Sequence, residues 1–263
     1  MKRYQCVLIT GASSGIGTEI ARRLAPHAEA IVLVGRRTER LAALATELST
    51  HYGSEVVPLT CDLSQEGNAE KLWEMVIQKM GNAPDLLVNN AGMGLYGETS
   101  NTPLSKEKSM VTLNVSSLMI LSKLALKVMS ARRQGVIMNV ASIGSFHPGP
   151  YMSVYYATKA FVLSYTEAIA EEARHYGVRV IVLCPGSTQT DFHATAGAQR
   201  KSNFCKFSQS TQAFVAEVAV LSILNGYPDI VIPGWKNKVL VFIERFIPRF
   251  VVAFLSGRVL KAE

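Results

Sequence analysis

Residues 10–17 read TGASSGIG. Residues 6–10, just before the turn, form a short apolar, β-branched run, and residues 16–24 carry a helical pattern. A strand, a glycine turn and a helix in that order open a βαβ unit. Gly11 permits the tight turn, Gly15 lets backbone approach a phosphate with no Cβ in the way, and Gly17 lets the helix pack against the strand. Free N–H groups at the helix start, with the helix dipole, favour an anion there, and Ser13 and Ser14 can add hydroxyl donors. Glycine turns also occur as plain structure; the strand-turn-helix context is what makes this one a phosphate site.

The same alternation continues along the chain. Strand-like runs occupy residues 6–10, 30–35, 55–59, 86–89, 135–140, 179–184 and 229–232, each short and nearly all apolar, as suits strands buried on both faces. Helical patterns fill 16–24, 38–52, 65–80, 104–130, 153–175 and 210–225. This predicts an α/β fold of the Rossmann, doubly wound kind: one mostly parallel sheet of about seven strands with helices on both faces. Residues 1–235 read as one nucleotide-binding catalytic domain. Within it, 190–209 is a polar excursion long enough to be a lid, and 236–263 is an extension.

Composition narrows the function. The 263 residues include 27 Lys+Arg and 20 Asp+Glu, a net charge of +7, with 48% hydrophobic and 18% charged residues. A disordered chain needs the opposite balance. No basic tract is interleaved with aromatics, which argues against a nucleic-acid binder. The four cysteines, 6, 61, 184 and 205, form no CxxC pair, which argues against a zinc site or a disulfide framework and for reduced thiols. His147 and His193 lack ligand company, so no metal is expected. The N-terminus does not read as a signal peptide, and a cytoplasmic location is the expectation.

The second strand ends at Gly35-Arg36-Arg37. An acid there would accept bonds from a ribose 2′-hydroxyl, whereas an Arg fork suits a 2′-phosphate, so NADP(H) is expected over NAD(H), with Arg36 first and Arg37 helping. Asp62 follows the third strand with Leu63, and Asn89-Asn90-Ala91-Gly92 follows the fourth. Both lie where open α/β sheets bind ligands, although either alone reads as a turn or a cap. Tyr155 and Lys159 are four apart on a helix face, where an ammonium would lower the pKa of a phenol. Tyr156 is also within reach of Lys159 by spacing. Ser142 follows the fifth strand and reads either as a hydroxyl donor to a carbonyl or as a cap. Asn114 lies inside a helical pattern that it does not favour, facing solvent or diverting a backbone bond to hold a water.

In this order and spacing, TGASSGIG, Asp62, NNAG at 89–92, Asn114, Ser142, Tyr155, Lys159 and Pro185-Gly186-x-x-x-Thr190 resemble the short-chain dehydrogenase/reductase family in its single-domain branch, over about residues 4–235. The resemblance implies Tyr155 as general acid/base, in preference to Tyr156. It implies that Lys159 lowers the Tyr155 pKa and bonds the nicotinamide ribose, that Ser142 orients the substrate oxygen, and that Asn114 holds a water linking Lys159 to solvent. The glycine turn, Arg36, Asp62, Leu63, Asn90 and the loop from Pro185 through Thr188 to Thr190 would contact the cofactor. The implied function is hydride transfer from NADPH to a ketone or aldehyde. The alternatives are a 3-oxoacyl thioester reductase and a non-catalytic NADP-binding protein. Family members form homodimers or homotetramers through long helices, here 104–130 and 153–175.

The substrate end is aromatic. Phe192, Phe204 and Phe207 lie in the excursion, and Met93, Leu95, Phe146 and Met152 are further candidates for an apolar wall. In the extension, Val239, Phe242, Phe246, Phe250 and Phe254 recur at steps of three and four, Lys238, Arg245, Arg249 and Ser256 take another face, and Pro248 breaks the pattern. Its apolar runs are too short to span a bilayer. Three readings stand: packing on its own domain or a partner subunit, lying on a membrane surface, or roofing the substrate site.

Overall fold

The computed structural model describes residues 4–189, 192, 196–197, 209–226 and 229–261. In chain order the elements are β1 (Tyr4–Thr10), α1 (Gly15–Leu24), β2 (Ala28–Gly35), α2 (Thr38–Tyr52), β3 (Glu55–Thr60), α3 (Asn68–Met80) and β4 (Leu86–Asn89). There follow α4 (Leu104–Val111), a π-helical stretch Thr112–Ser117, α5 (Leu118–Arg132), β5 (Gly135–Val140), α6 (Ser153–Arg174) and β6 (Val178–Leu183). The chain closes with α7 (Gln212–Asn225), β7 (Ile230–Val231), α8 (Trp235–Glu244) and α9 (Arg249–Leu260). The expected strand and helix runs are all present, most of them with ends moved by one to three residues.

The seven strands form one parallel sheet in the order β3-β2-β1-β4-β5-β6-β7. Residues within β1 alternate between two cores, as the two-residue period of a strand requires. Val7 and Ile9 face α1, α2 and α7, packing with Ile20, Leu24, Leu48 and Ile223. Cys6 and Leu8 face the other layer, with Leu72 and Trp73 of α3, Leu121 and Met129 of α5, and Ile169 of α6. Each fully buried Leu or Ile contributes about 1.5–3 kcal/mol, and burial on both faces makes the middle of these strands mostly apolar. The stretch Leu104–Arg132 is apolar and long enough to cross a membrane by composition. Here it lays Leu113, Leu121, Ala125 and Met129 against the sheet as a core helix.

Strand order reverses between β1 and β4, since the chain runs outward through β2 and β3 and then returns to the other side of β1. A crevice opens at such a switch point, outside the C-terminal strand ends. Apart from Asn114 in the π-helical stretch and Lys159 a turn into α6, the expected functional residues that can be placed follow a strand end or begin a helix on that side.

Candidate active site

The glycine turn is shaped as its sequence requires. Gly11 and Gly15 both have φ of +67°, a conformation that L side chains rarely adopt. A Cβ on Gly11 would stand 2.8 Å from the Ala91 Cα, and one on Gly17 would stand 2.5 Å from the Asn90 Nδ2 and overlap the Gly11 carbonyl oxygen. Gly17 therefore serves contact with the turn and with Asn90, rather than with the strand alone. Helix α1 begins after an extended Ser14 that makes no side-chain cap, and no acid lies in its first turn. Its first N–H groups and dipole are thus left for an anion.

Asn90 holds the turn from the opposite strand. Its Nδ2 donates to the carbonyls of Thr10 (3.0 Å) and Gly11 (3.1 Å), while the N–H groups of Asn90 and Ala91 donate to Thr10 Oγ1, each at 3.0 Å. Both amide hydrogens of Asn90 are engaged in this clamp, so it positions the turn. The Asn89 Nδ2 donates to Asn139 Oδ1 of β5 (2.9 Å) and Ser122 Oγ (3.0 Å), a buried tie between strands β4 and β5 where they reach the cleft. Sequence reasoning missed both structural roles, because NNAG names the residue types and not the direction of the amides.

A cleft of about 740 Å³ runs along the strand ends. The half beside the glycine turn is lined by Gly11, Ser13, Ser14, Gly15, Ile16, Arg36 and Arg37, with Asp62, Leu63, Asn90, Ala91 and Gly92 beside them. Burial alone would raise the Asp62 carboxyl, but bonds from the Ser64 hydroxyl (2.7 Å) and amide (3.1 Å), the Arg36 charge and Gln65 together hold it below the usual range. Pro185, Gly186, Ser187 and Thr188 line the cleft farther on, with Thr188 Oγ1 donating to the Gly186 carbonyl at 3.0 Å. Thr190, His193, Phe204 and Phe207 lie outside the described residues.

Ser142, Tyr155 and Lys159 meet in the same cleft. Ser142 Oγ accepts from the Gly144 N–H (3.1 Å), capping a short 3₁₀ turn, and its hydroxyl also bonds the Tyr155 phenol. The cap reading thus holds. Burial pushes the Tyr155 phenol up to about 12, with the Ser142 bond pulling the other way. The lowering expected from Lys159 is not what this structure gives. The ammonium donates to the Val140 carbonyl (2.7 Å) and stands 6.0 Å from the Tyr155 ring centre, so desolvation dominates the phenol. Lys159 is 5% exposed, and burial lowers it to about 8 against an upward pull from Cys184. Tyr156 is turned toward Gly144 and Gly149, with its ring 5.4 Å from that of His147.

Asn114 is fully buried within the π-helical stretch, a local change of pitch common at functional sites. Its Oδ1 accepts from the Met93 N–H (3.0 Å), and its Nδ2 donates to the Met93 carbonyl (2.9 Å) and Thr158 Oγ1 (3.0 Å). It pins the segment after β4 to α6, one residue from Lys159. A Cβ on Gly92 would stand 3.3 Å from the Lys159 Nζ and 3.4 Å from the Asn114 Oδ1, so that glycine leaves the space around the ammonium open.

The other half of the cleft is apolar. Met93, Met152, Tyr156 and Phe192 line it, and the Phe192 ring lies 5.1 Å from that of Tyr155. Of the other candidates, Phe146 packs against the small core of Leu118 and Val162, and Leu95 is not among the lining residues. Helices α8 and α9 and the turn between them complete the wall with Leu240, Ile243, Ile247, Val252, Leu255 and Val259. They are held by the pair His147 Nδ1–Glu244 Oε2 (3.0 Å) and by the Tyr96 hydroxyl donating to the Leu260 carbonyl (2.7 Å). Of the three readings of the extension, roofing the cleft is the one this packing supports. Cys6, Cys61 and Cys184 are free thiols.

A family model described as short chain dehydrogenase matches residues 5–201. The 7beta-hydroxysteroid dehydrogenase of Collinsella aerofaciens is 32% identical over 183 residues, 70% of this chain and 68% of that one. The 17-beta-hydroxysteroid dehydrogenase type 3 of Rattus norvegicus is 34% identical over 188 residues, 71% of this chain but only 60% of that longer one. Among solved structures, a short-chain dehydrogenase from Sphingobium yanoikuyae in complex with NADPH superposes with a TM-score of 0.81 at 28% identity, covering 92% of this chain and 94% of that one.

Proposed function

The chain belongs to the short-chain dehydrogenase/reductase family of oxidoreductases, and from that premise we propose that it is an NADPH-dependent reductase of bulky, apolar ketones or aldehydes. The observation that carries this is the single cleft shared by the glycine turn, Arg36, Ser142, Tyr155 and Lys159, with an apolar half beyond them. The nucleotide fits on the chain's own terms. The start of α1 carries no side-chain cap, Cβ atoms are excluded where backbones meet, and two guanidinium groups stand at the end of β2, where a 2′-phosphate would lie. The NADPH-bound Sphingobium structure and the steroid-acting relatives agree with this reading.

The bound nicotinamide supplies the hydride. The protein does the rest. Tyr155 stays protonated at neutral pH because burial holds its phenol high, so it is poised to give a proton to the carbonyl oxygen. Ser142 donates to the same oxygen as negative charge builds there. Lys159, charged through most of the neutral range and held by the Val140 carbonyl one helical turn from Tyr155, would bond the ribose of the bound nucleotide. Asn114 fixes the Met93 backbone and α6, which keeps Lys159 and Tyr155 in register. The apolar wall of Met93, Met152, Phe192 and the α8–α9 helices excludes water and receives the substrate skeleton. The excursion 190–209, expected as a lid, lies mostly outside the described residues. Residues 1–235 form the catalytic domain and 236–263 its added roof. A homo-oligomer contact is assigned to the outer faces of α4, α5 and α6, where Leu104, Val111, Met119 and Phe161 are exposed.

The test is NADPH consumption across a panel of ketones and aldehydes of rising bulk, repeated with NADH. Turnover that grows with apolar bulk and prefers NADPH supports the reading. No consumption with any carbonyl, despite bound NADPH, overturns it in favour of a non-catalytic nucleotide-binding protein.

A further inference from the structure

Roofing the cleft uses one side of α8 and α9 and leaves the other side exposed. Trp235, Phe242, Phe246, Phe250 and Phe254 are 70%, 60%, 74%, 76% and 58% exposed. Large aromatic side chains at this density are unusual on a soluble surface, and a contiguous apolar face calls for something to cover it. Two of the rings touch and a third meets a cation: Phe242 and Phe246 lie 5.3 Å apart edge to face, and the Arg258 guanidinium sits 4.5 Å over the Phe254 ring.

The charge on these helices is one-sided. Residues 235–261 carry six cations, Lys236, Lys238, Arg245, Arg249, Arg258 and Lys261, and one acid, Glu244. Glu244 is turned inward, 12% exposed, against His147. Lys238, Arg245 and Arg249 are exposed. Acids that would complement a cationic protein partner or a second copy of this face are therefore absent from its outer side, among the described residues. Exposed aromatics interleaved with exposed cations match the acyl boundary and headgroups of an anionic lipid leaflet, with Trp235 and its neighbour Lys236 the residue types expected at that depth.

We propose that α8 and α9 dock this enzyme on an anionic phospholipid surface and that the cleft opens toward it. Ile243 and Leu255 link the two roles. Both line the cleft, and both are about half exposed, at 50% and 49%. An apolar carbonyl compound dissolved in the leaflet thus meets the cleft wall without crossing water. Delivery of substrate in this way rests on the reductase reading, whereas lipid docking does not.

The experiment is co-sedimentation of the full chain, without substrate, with vesicles of phosphatidylcholine alone or mixed with phosphatidylglycerol. The expected result is binding to the mixed vesicles, weakened by salt, and little to phosphatidylcholine alone. Phe246→Ser with Phe250→Ser, which line no part of the cleft, is expected to weaken binding on the order of a hundredfold. Arg245→Ala with Arg249→Ala is expected to weaken it roughly 20-fold. Both variants are expected to keep wild-type turnover of a small water-soluble ketone. An intact protein that stays in the supernatant with both vesicle types overturns the proposal. So does a Phe246→Ser, Phe250→Ser pair that changes only the sedimentation coefficient, which would assign the face to a second copy. Vesicle binding together with an absence of carbonyl turnover keeps the docking and removes only the reductase reading.

Discussion

Replacing Lys159 by Met is expected to make the protein more stable and catalytically dead. The side chain is 5% exposed, and its ammonium is held by the Val140 carbonyl at 2.7 Å. Burial brings it from an ordinary 10.5 down to about 8, against a smaller upward pull from Cys184. At about 1.4 kcal/mol per pH unit, keeping that charge inside costs about 3 kcal/mol at neutral pH. Met fills a similar volume without a charge but takes a donor from the Val140 carbonyl, a loss of about 1–3 kcal/mol. The net expectation is a gain of roughly 1 kcal/mol, or a rise of about 2–4 °C in Tm for a chain of this size. The pH dependence carries the sign. Below about pH 8 the ammonium is charged in the folded and unfolded chain alike, and the full burial cost is present. Between about 8 and 10.5 the folded chain gives up the proton first, so wild-type stability rises through that window and the advantage of Met disappears. Denaturant titrations of both proteins at several pH values measure this. A Met variant less stable than wild type at pH 7, or a difference that does not change with pH, would refute the reasoning.

Alcohol oxidation, the reverse reaction, needs the Tyr155 phenolate, so with the phenol held near 12 its rate is expected to climb about tenfold per pH unit between about pH 6 and 8, where Lys159 keeps its proton. Ketone reduction should not share that climb, and initial rates in both directions test the difference. Arg36→Ala is expected to weaken NADPH about 10- to 100-fold, the loss of a charge-assisted bond to phosphate, and to leave NADH unchanged, as read by fluorescence titration. Gly17→Ala is expected to cost about 1–3 kcal/mol, because its Cβ would fall 2.5 Å from the Asn90 Nδ2 and on the Gly11 carbonyl oxygen. A thermal melt reads it, and an unchanged Tm would show that the turn is looser than its geometry implies.

Local patterns carried most of the fold. Leu86–Asn89 and Gly135–Val140 begin and end where their short, mostly apolar runs do, and the asparagine each carries, Asn89 and Asn139, is buried and bonded to the other. Helix α2 stops at Tyr52 because Gly53 takes the left-handed conformation. By contrast, the helical pattern at 104–130 hides a π-helical stretch at Thr112–Ser117. The apolar spacing runs on through it, and only the partners of Asn114, Met93 and Thr158, give it a reason.

The site was legible as residue types at strand ends, because a parallel sheet brings all those ends to one edge. What was not legible was direction. Sequence spacing put an ammonium near a phenol, but the bond that Lys159 makes to Val140, and the burial of Tyr155, depend on β5 lying beneath α6. Likewise the amphipathic pattern at 236–261 showed that one face must be covered without showing what covers it. The anchor, His147 with Glu244, joins residues 97 positions apart, which no local pattern reveals.

Tyr155→Phe removes the proton donor and leaves the glycine-turn half of the cleft intact. NADPH is expected to bind the variant as it binds wild type in a fluorescence titration, while turnover of the best ketone falls by at least about a thousandfold. A variant that binds NADPH and still reduces the ketone at near the wild-type rate would contradict that role for Tyr155.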